Sequence, residues 1–167
     1  IFIVFKKNTS STTSLLVKGK AGGSGSDYKR YHIAVNSGDI FSNEIDDDSI
    51  YKAVESKRDF DGNFKIVFTE RNGSFLNNHI DGPLADSLNI GSDYGSIDET
   101  SSTDLYLGKP SYKNSNYFKG EMSEIIMFKN SLSTYERQQI FSYLAKKWNL
   151  TSIIDSDSDG FTDAVEQ

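Results

Sequence analysis

The segment Phe64-Lys65-Ile66-Val67-Phe68-Thr69-Glu70-Arg71, followed by Asn72-Gly73, constrains this chain more than any other stretch. Phe64, Ile66 and Phe68 recur with period two, which places them on one face of a strand. Asn72-Gly73 then offers two residues that tolerate positive φ, so a tight hairpin is expected there. Ser74 to Ile80 reads as the return strand, closed by Asp81-Gly82-Pro83. Further short apolar runs fit the same pattern: Ile1 to Lys6, Leu15 to Val17, Tyr31 to Val35, Leu105 to Leu107 and Tyr117 to Phe128. Polar or glycine-rich turns such as Ala21 to Ser26 separate them. Many strands with such punctuation imply an all-β sandwich.

One segment breaks the pattern. Ser133-Thr134-Tyr135-Glu136 is a capping box, in which the serine hydroxyl takes the glutamate amide and the carboxylate reaches back. Ile140, Leu144 and Trp148 then recur every fourth residue, with Phe141 and Ala145 beside them, and Lys146 and Lys147 sit where a helix C-terminus favours cations. A single helix from Ser133 to Trp148 is expected, packed on the sandwich through Ile140, Leu144 and Trp148. In the long strand before it, Met122, Glu124, Ile126 and Phe128 share one face. Glu124 must therefore be paired, hydrogen-bonded or solvent-facing, and fixing the helix is its natural role.

The chain has 167 residues, enough to bury a core without staples. It has no cysteine, which excludes disulfides, zinc-thiolate sites and thiol nucleophiles. No apolar run approaches the roughly 18 residues of a membrane span. Net charge is −6, but Thr151 to Gln167 holds five carboxylates and no cation, so the rest carries −1. A nearly neutral body without a basic stripe is a poor partner for nucleic acid or anionic membrane. The sequence opens inside a strand-like run, without initiator Met or signal peptide, and is expected to be a piece of a longer protein.

The residues Leu105-Tyr106-Leu107-Gly108, Phe118-Lys119-Gly120-Glu121-Met122-Ser123-Glu124, Leu132-Ser133 and Tyr143-Leu144-Ala145-Lys146-Lys147-Trp148 together resemble bacterial laminin-G-like domains of the concanavalin A-like class. Those domains end in a short strand, an "F-x-G-x-x-x-E" strand, a "Leu-Ser" cap and a "YLA-x-KW" helix. The resemblance is specific over Asp104 to Leu150 and looser from Ile1 to Asn89. It implies an antiparallel two-sheet jelly-roll sandwich with one C-terminal helix over residues 1–150. Such domains usually carry further strands before the one resembling Ile1 to Lys6. Either the first strands lie outside this sequence, or a neighbouring chain or domain completes the sheet; an edge left open at Ile1 to Phe5 would be apolar and sticky. Gly120 fits a bulge or a close backbone approach.

Residues 151–167 read as a separate calcium-binding linker. Asp155, Asp157, Asp159, Asp163 and Glu166 occupy positions one, three, five, nine and twelve of a twelve-residue loop, with Gly160 at six. Calcium takes six to eight hard oxygens, and alternate carboxylates, the Phe161 carbonyl and a bidentate Glu166 supply that set. The stretch resembles thrombospondin type 3 or dockerin-like repeats, which implies a calcium-stiffened joint.

Catalytic constellations are set aside. Glu44-Ile45-Asp46-Asp47-Asp48 lacks the second glutamate of a glycosidase strand, and three consecutive aspartates favour a loop, one that could help hold a calcium ion on the sandwich. His32 and His79 show no triad by spacing, since triads assemble in space. Tyr28, Tyr94, Tyr112 and Tyr117 lie in polar loops, and Tyr94, Tyr112 and Tyr117 are the candidate ligand residues, because sugar sites pair aromatic faces with polar hydrogen-bonding groups. Two functions stand: a non-catalytic extracellular lectin-like module of a larger adhesin, fibre or secreted protein, binding a glycan or a surface protein; or a structural spacer or assembly domain of a surface filament.

Overall fold

The computed structural model describes residues 1–19, 29–47, 50–60, 62–91, 104–111 and 114–165. Among these, ten strands and one helix occur: β1 (Phe2–Lys7), β2 (Thr13–Gly19), β3 (Lys29–Asn36), β4 (Ile40–Asp47), β5 (Ile50–Lys57), β6 (Phe64–Asn72), β7 (Phe75–Ile80), β8 (Leu84–Asn89), β9 (Leu105–Leu107), β10 (Gly120–Ile126) and α1 (Thr134–Lys147). They form two antiparallel five-stranded sheets. Sheet A has the order β10-β1-β6-β7-β8 and sheet B the order β5-β4-β3-β2-β9. This is the jelly-roll sandwich with one C-terminal helix. No helix among the described residues is long and apolar enough to cross a membrane.

The sheets face each other across Ile3, Phe5 and Val67 from sheet A and Leu16, Ile33 and Phe41 from sheet B, with Phe60 between them. Rings reinforce this core, with Phe5 and Phe60 stacked at 5.7 Å. Phe2, Val4, Ile66 and Phe68 point to the other face of sheet A and are equally buried, because α1 covers them through Phe141, Leu144 and Ala145. β1 therefore reads as a continuous apolar run: both of its faces are enclosed.

Several expectations need correction. β1 is not an open edge, since it lies between β10 and β6 and pairs with both. Glu44 to Asp47 is strand, not loop: Phe41 and Ile45 turn to the core while Ser42, Glu44 and Asp46 take the other face, so the alternation survives the run of aspartates. The hairpin turn is centred one residue late. Asn72 still pairs with Phe75, and Gly73 takes the first central position at φ 57°, as a type II′ turn requires. In β10 a bulge opposite Val4/Phe5 splits the expected face, sending Met122 into the inter-sheet core and Glu124 and Ile126 towards the helix.

The helix has its capping box in place, with Ser133 as N-cap. Its packing stripe differs from the expectation. Phe141, Leu144 and Ala145 are buried, Ile140 is partly so, and Trp148 is the C-cap and 36% exposed. Trp148 instead donates its indole N–H to Glu124 Oε2 at 2.7 Å, while Lys147 pairs with Oε1 at 2.9 Å. Glu124 thus ties the end of the helix to β10. These two donors and the Lys147 charge outweigh the raising effect of desolvation and hold its carboxyl below the usual range.

Candidate functional site

The helix covers sheet A over β1 and β6, leaves Phe75 and Leu84 exposed on β7 and β8, and leaves the outer face of sheet B uncovered by any helix among the described residues. Its residues form cross-strand rows. One row runs Tyr106, Val17, His32, Glu44 and Ala53; the next, towards the far end of the strands, runs Ser14, Ala34, Ser42 and Glu55; on the other side Arg30, Asp46 and Tyr51 stand opposite one another. Strand alternation brings these residues together at two-residue spacing on β3, β4 and β5, and on β2 a bulge between Ser14 and Leu16 lets Ser14 and Val17, three apart, share the face. Within these three rows the aliphatic side chains are Val17, Ala34 and Ala53.

Its middle holds a buried polar network. Ser14, His32, Glu44 and Arg30 are only 1–8% exposed. His32 Nε2 meets Ser14 Oγ at 3.0 Å, and Nδ1 meets Glu44 Oε2 at 3.1 Å. Glu44 also takes Ser42 Oγ at 3.3 Å and Arg30 Nη2 at 3.4 Å, and Arg30 lies 3.9 Å from Asp46. Burial alone would raise the Glu44 carboxyl, but the His32 hydrogen bond and charge, Arg30 and Ser42 together hold it below the carboxylate range. Tyr51 stands at the border, 54% exposed, and its hydroxyl is pushed up to about 12 by burial and then by Glu44, with Glu55 and Asp46 adding to it. At the opposite border Lys109 lies 4.5 Å over the Tyr106 ring.

The Ser14–His32–Glu44 line has the order of a nucleophile, a base and an orienting acid. Spacing could not reveal it, because its members come from three strands. Ser14 is nevertheless enclosed, and its amide is engaged by the Asn116 carbonyl at 3.0 Å. In this arrangement the line acts as a polar tie across β2, β3 and β4.

Of the expected ligand tyrosines, Tyr94 and Tyr112 lie outside the described residues. Tyr117 is half exposed, its carbonyl accepts the Thr13 hydroxyl at 3.1 Å, and its own hydroxyl reaches Asn114 at 3.4 Å, which sets it beside the start of β2. A cleft of about 470 Å³ also opens between the sheets, where Ile33, Ile45 and Leu76 continue the core.

The second candidate is the acidic loop. Oxygens of Asp155, Asp157 and Asp159 gather within 4.8 Å of one another. Asp155 accepts the amides of Ser158 and Gly160, and Asp159 that of Phe161. Ser158 at φ 66° and Gly160 at φ 99° make the tight turn. Asp163 reaches back through Oδ1 to the Ser156 amide at 2.9 Å; the residue is 6% exposed and its Oδ2 has no hydrogen-bond partner. Phe161 is exposed, and Glu166 lies outside the described residues.

No protein-family model matches the chain, and no curated protein matches it in sequence. Solved structures do resemble it. The carbohydrate-binding module CBM40 of the Ruminococcus gnavus IT-sialidase, bound to α2,6-sialyllactose, superposes with a TM-score of 0.59 at 16% identity, over 71% of this chain and 69% of that one. The likeness is one of fold. The same module bound to α2,3-sialyllactose gives 0.55 at 17% identity, over 71% and 68%. The leech intramolecular trans-sialidase complexed with 2,7-anhydro-Neu5Ac gives 0.68 at 17% identity, over 81% of this chain but 22% of that larger one.

Proposed function

We propose that this chain is a non-catalytic, extracellular carbohydrate-binding module whose ligand sits on the outer face of sheet B, and that its 155–166 loop holds calcium. The observation that carries the glycan reading is the Arg30–Glu44–His32 network. Charged groups buried on a face other than the core, with fixed hydrogen-bond geometry, suit a ligand dense in hydroxyls. Tyr51 and Tyr106 at the two borders offer ring faces to sugar C–H surfaces. Structures of similar fold hold sialylated sugars, which supports the class of ligand. Arg30 is shared between Glu44 and Asp46, so recognition rests on oriented donors and acceptors more than on net positive charge.

The test is titration with sialyllactose and with lactose, followed by calorimetry or NMR. Binding of at least one sugar is expected, weakened about tenfold or more by Arg30→Ala and by Tyr51→Ala, a loss of about 1.4 kcal/mol or more. No binding to either sugar or to a broad glycan array, or binding indifferent to both substitutions, would leave the spacer or assembly role as the better account.

The donor set of the loop fits calcium. Asp155, Asp157, Asp159 and Asp163 supply hard carboxylate oxygens, Phe161 a carbonyl and Glu166 two further oxygens, with no nitrogen or sulfur among them. The buried, unpartnered Asp163 oxygen is the atom that most needs a cation. Extracellular calcium, typically millimolar, would fill a site with a dissociation constant near ~10⁻⁴ M. Calorimetric titration of the wild type against Asp157→Ala tests it, and equal behaviour of the two would reduce the loop to a solvated acidic stretch.

A further inference from the structure

The loop is built into the sandwich. Ile154, directly before the first aspartate, is fully buried in the cluster that joins α1 to sheet A. The Asp155 amide donates to the Asp81 carbonyl at 3.0 Å. Asp81 is itself anchored on β6, its carboxylate taking the Ile66 amide at 3.0 Å and Lys65 Nζ at 2.8 Å. Gly82 lies so close beneath the loop that a Cβ there would overlap the Asp155 carbonyl. From the other side, Gln138 on α1 donates to the Asp157 carbonyl at 3.1 Å, and the Asp163 amide returns to the Ile154 carbonyl at 2.7 Å.

We infer that calcium in this loop is a clasp on the whole domain: the ion fastens α1 and the β7–β8 turn together and so sets the stability of the sandwich, beyond stiffening a tail. This rests on the calcium reading given above. Two independent observations point the same way. The gathered carboxylates of Asp155, Asp157 and Asp159 repel one another without a cation. Separately, Asp163, next to the gathered carboxylates in the loop but not among them, is enclosed with one oxygen lacking any donor, a state that a cation drawn to that oxygen would relieve. Because Asp155 and Asp157 are hydrogen-bonded to the sheet A turn and to α1, relief at the loop is felt at both. An ion that binds only the folded arrangement raises the stability of everything that must unfold with it.

The experiment is a thermal melt of the full chain in chelator and in rising calcium, with calorimetric titration in parallel. For a site of ~10⁻⁴ M, about 1 mM calcium should raise the Tm of the single sandwich transition by on the order of 3–6 °C, increasing with concentration. Asp157→Ala should abolish the rise. Gln138→Ala removes no ligand, yet it should weaken calcium binding severalfold, since coupling between the helix and the ion is reciprocal. Calcium that binds without moving the sandwich transition, or with an affinity indifferent to Gln138→Ala, would overturn the clasp while leaving the metal site standing. Absence of any binding heat or Tm shift would overturn the metal reading and the clasp with it.

Discussion

Replacing Phe141 with alanine tests how firmly the helix belongs to the sandwich. The ring has no exposure and meets Phe2 edge-on at 5.2 Å and 74°. Its neighbours in that cluster, Phe68, Ile66 and Leu144, are on a sheet and a helix that cannot close a ring-sized gap without moving. Truncations of this kind cost about 3–5 kcal/mol, and the lost aromatic pairing places Phe141→Ala near the middle, at about 4 kcal/mol. That is a large share of the 5–15 kcal/mol typical of a domain. Urea unfolding should be followed by far-UV circular dichroism and by fluorescence of Trp148, which stands at the end of the helix. Both transitions should move together to lower urea. Tyr135→Ala, at the most exposed large side chain of α1, should change stability by less than about 0.5 kcal/mol. A Trp148 transition that melts early while the sheet signal stays unmoved would instead show the helix to be an independent appendage.

Three further outcomes are expected. Burial, and then the Arg137 charge, push His79 down to about 4 from an ordinary 6.5, so the folded state resists protonation; stability should be full above pH 6.5 and fall by about 2–3 kcal/mol as pH drops from 6.5 to about 4, and His79→Gln should flatten that part of a urea-midpoint profile. Trp148→Phe removes only the indole donor to Glu124, which keeps Lys147, so equilibrium unfolding should show a loss of about 0.5–1.5 kcal/mol and not the 3–5 kcal/mol of a buried ring. Gly120→Ala would drive a Cβ into the Lys6 carbonyl across the β10–β1 pair and should cost about 1–3 kcal/mol in the same assay, whereas a neutral result would mean that the two strands separate there at little cost.

The sandwich was legible where local chemistry and burial agree. Phe64, Ile66 and Phe68 do share one face, the capping box does start the helix, and Gly120 does mark a close backbone approach. Legibility failed where tertiary contacts decide. Glu44 to Asp48 read as a loop because three consecutive aspartates break the expected alternation, yet cross-strand pairing on both sides holds Glu44 to Asp47 extended. Trp148 looked like a core residue by its spacing, but the helix ends at Lys147 and rotates the stripe onto Phe141 and Leu144. The split face of β10 could not be read at all, because a bulge depends on the register with β1. Likewise the Ser14–His32–Glu44 line has members 18 and 12 residues apart along the chain, and no local pattern joins them. The acidic loop lies at the other extreme: its proposed ligand positions are contiguous in sequence, and of them the structure gathers Asp155, Asp157 and Asp159.

A two-sheet sandwich has four faces, and each carries a different chemistry. Two face each other and carry Ile3, Phe5, Ile33 and Phe41, with Asn78 reaching across to Val54 and Ser56 and a cleft opening at one end. The third, outside sheet A, is covered by α1 over β1 and β6 and exposed over β7 and β8, where Phe75 and Leu84 stand open, and the loop that follows the helix is tied to the Asp81–Gly82 turn. Stability of that half therefore depends on the helix and on the ties of the loop to it. The fourth face, outside sheet B, carries charge where a core would carry Leu or Val. Replacing a buried ionic network with apolar side chains is commonly neutral or stabilising, so stability alone gives no reason for Arg30, His32 and Glu44 to stand there. Recognition does. Hydrogen-bonding groups held rigid by one another lose little freedom when a ligand arrives, and that preorganisation is what a weak, hydroxyl-rich ligand needs to be held at all.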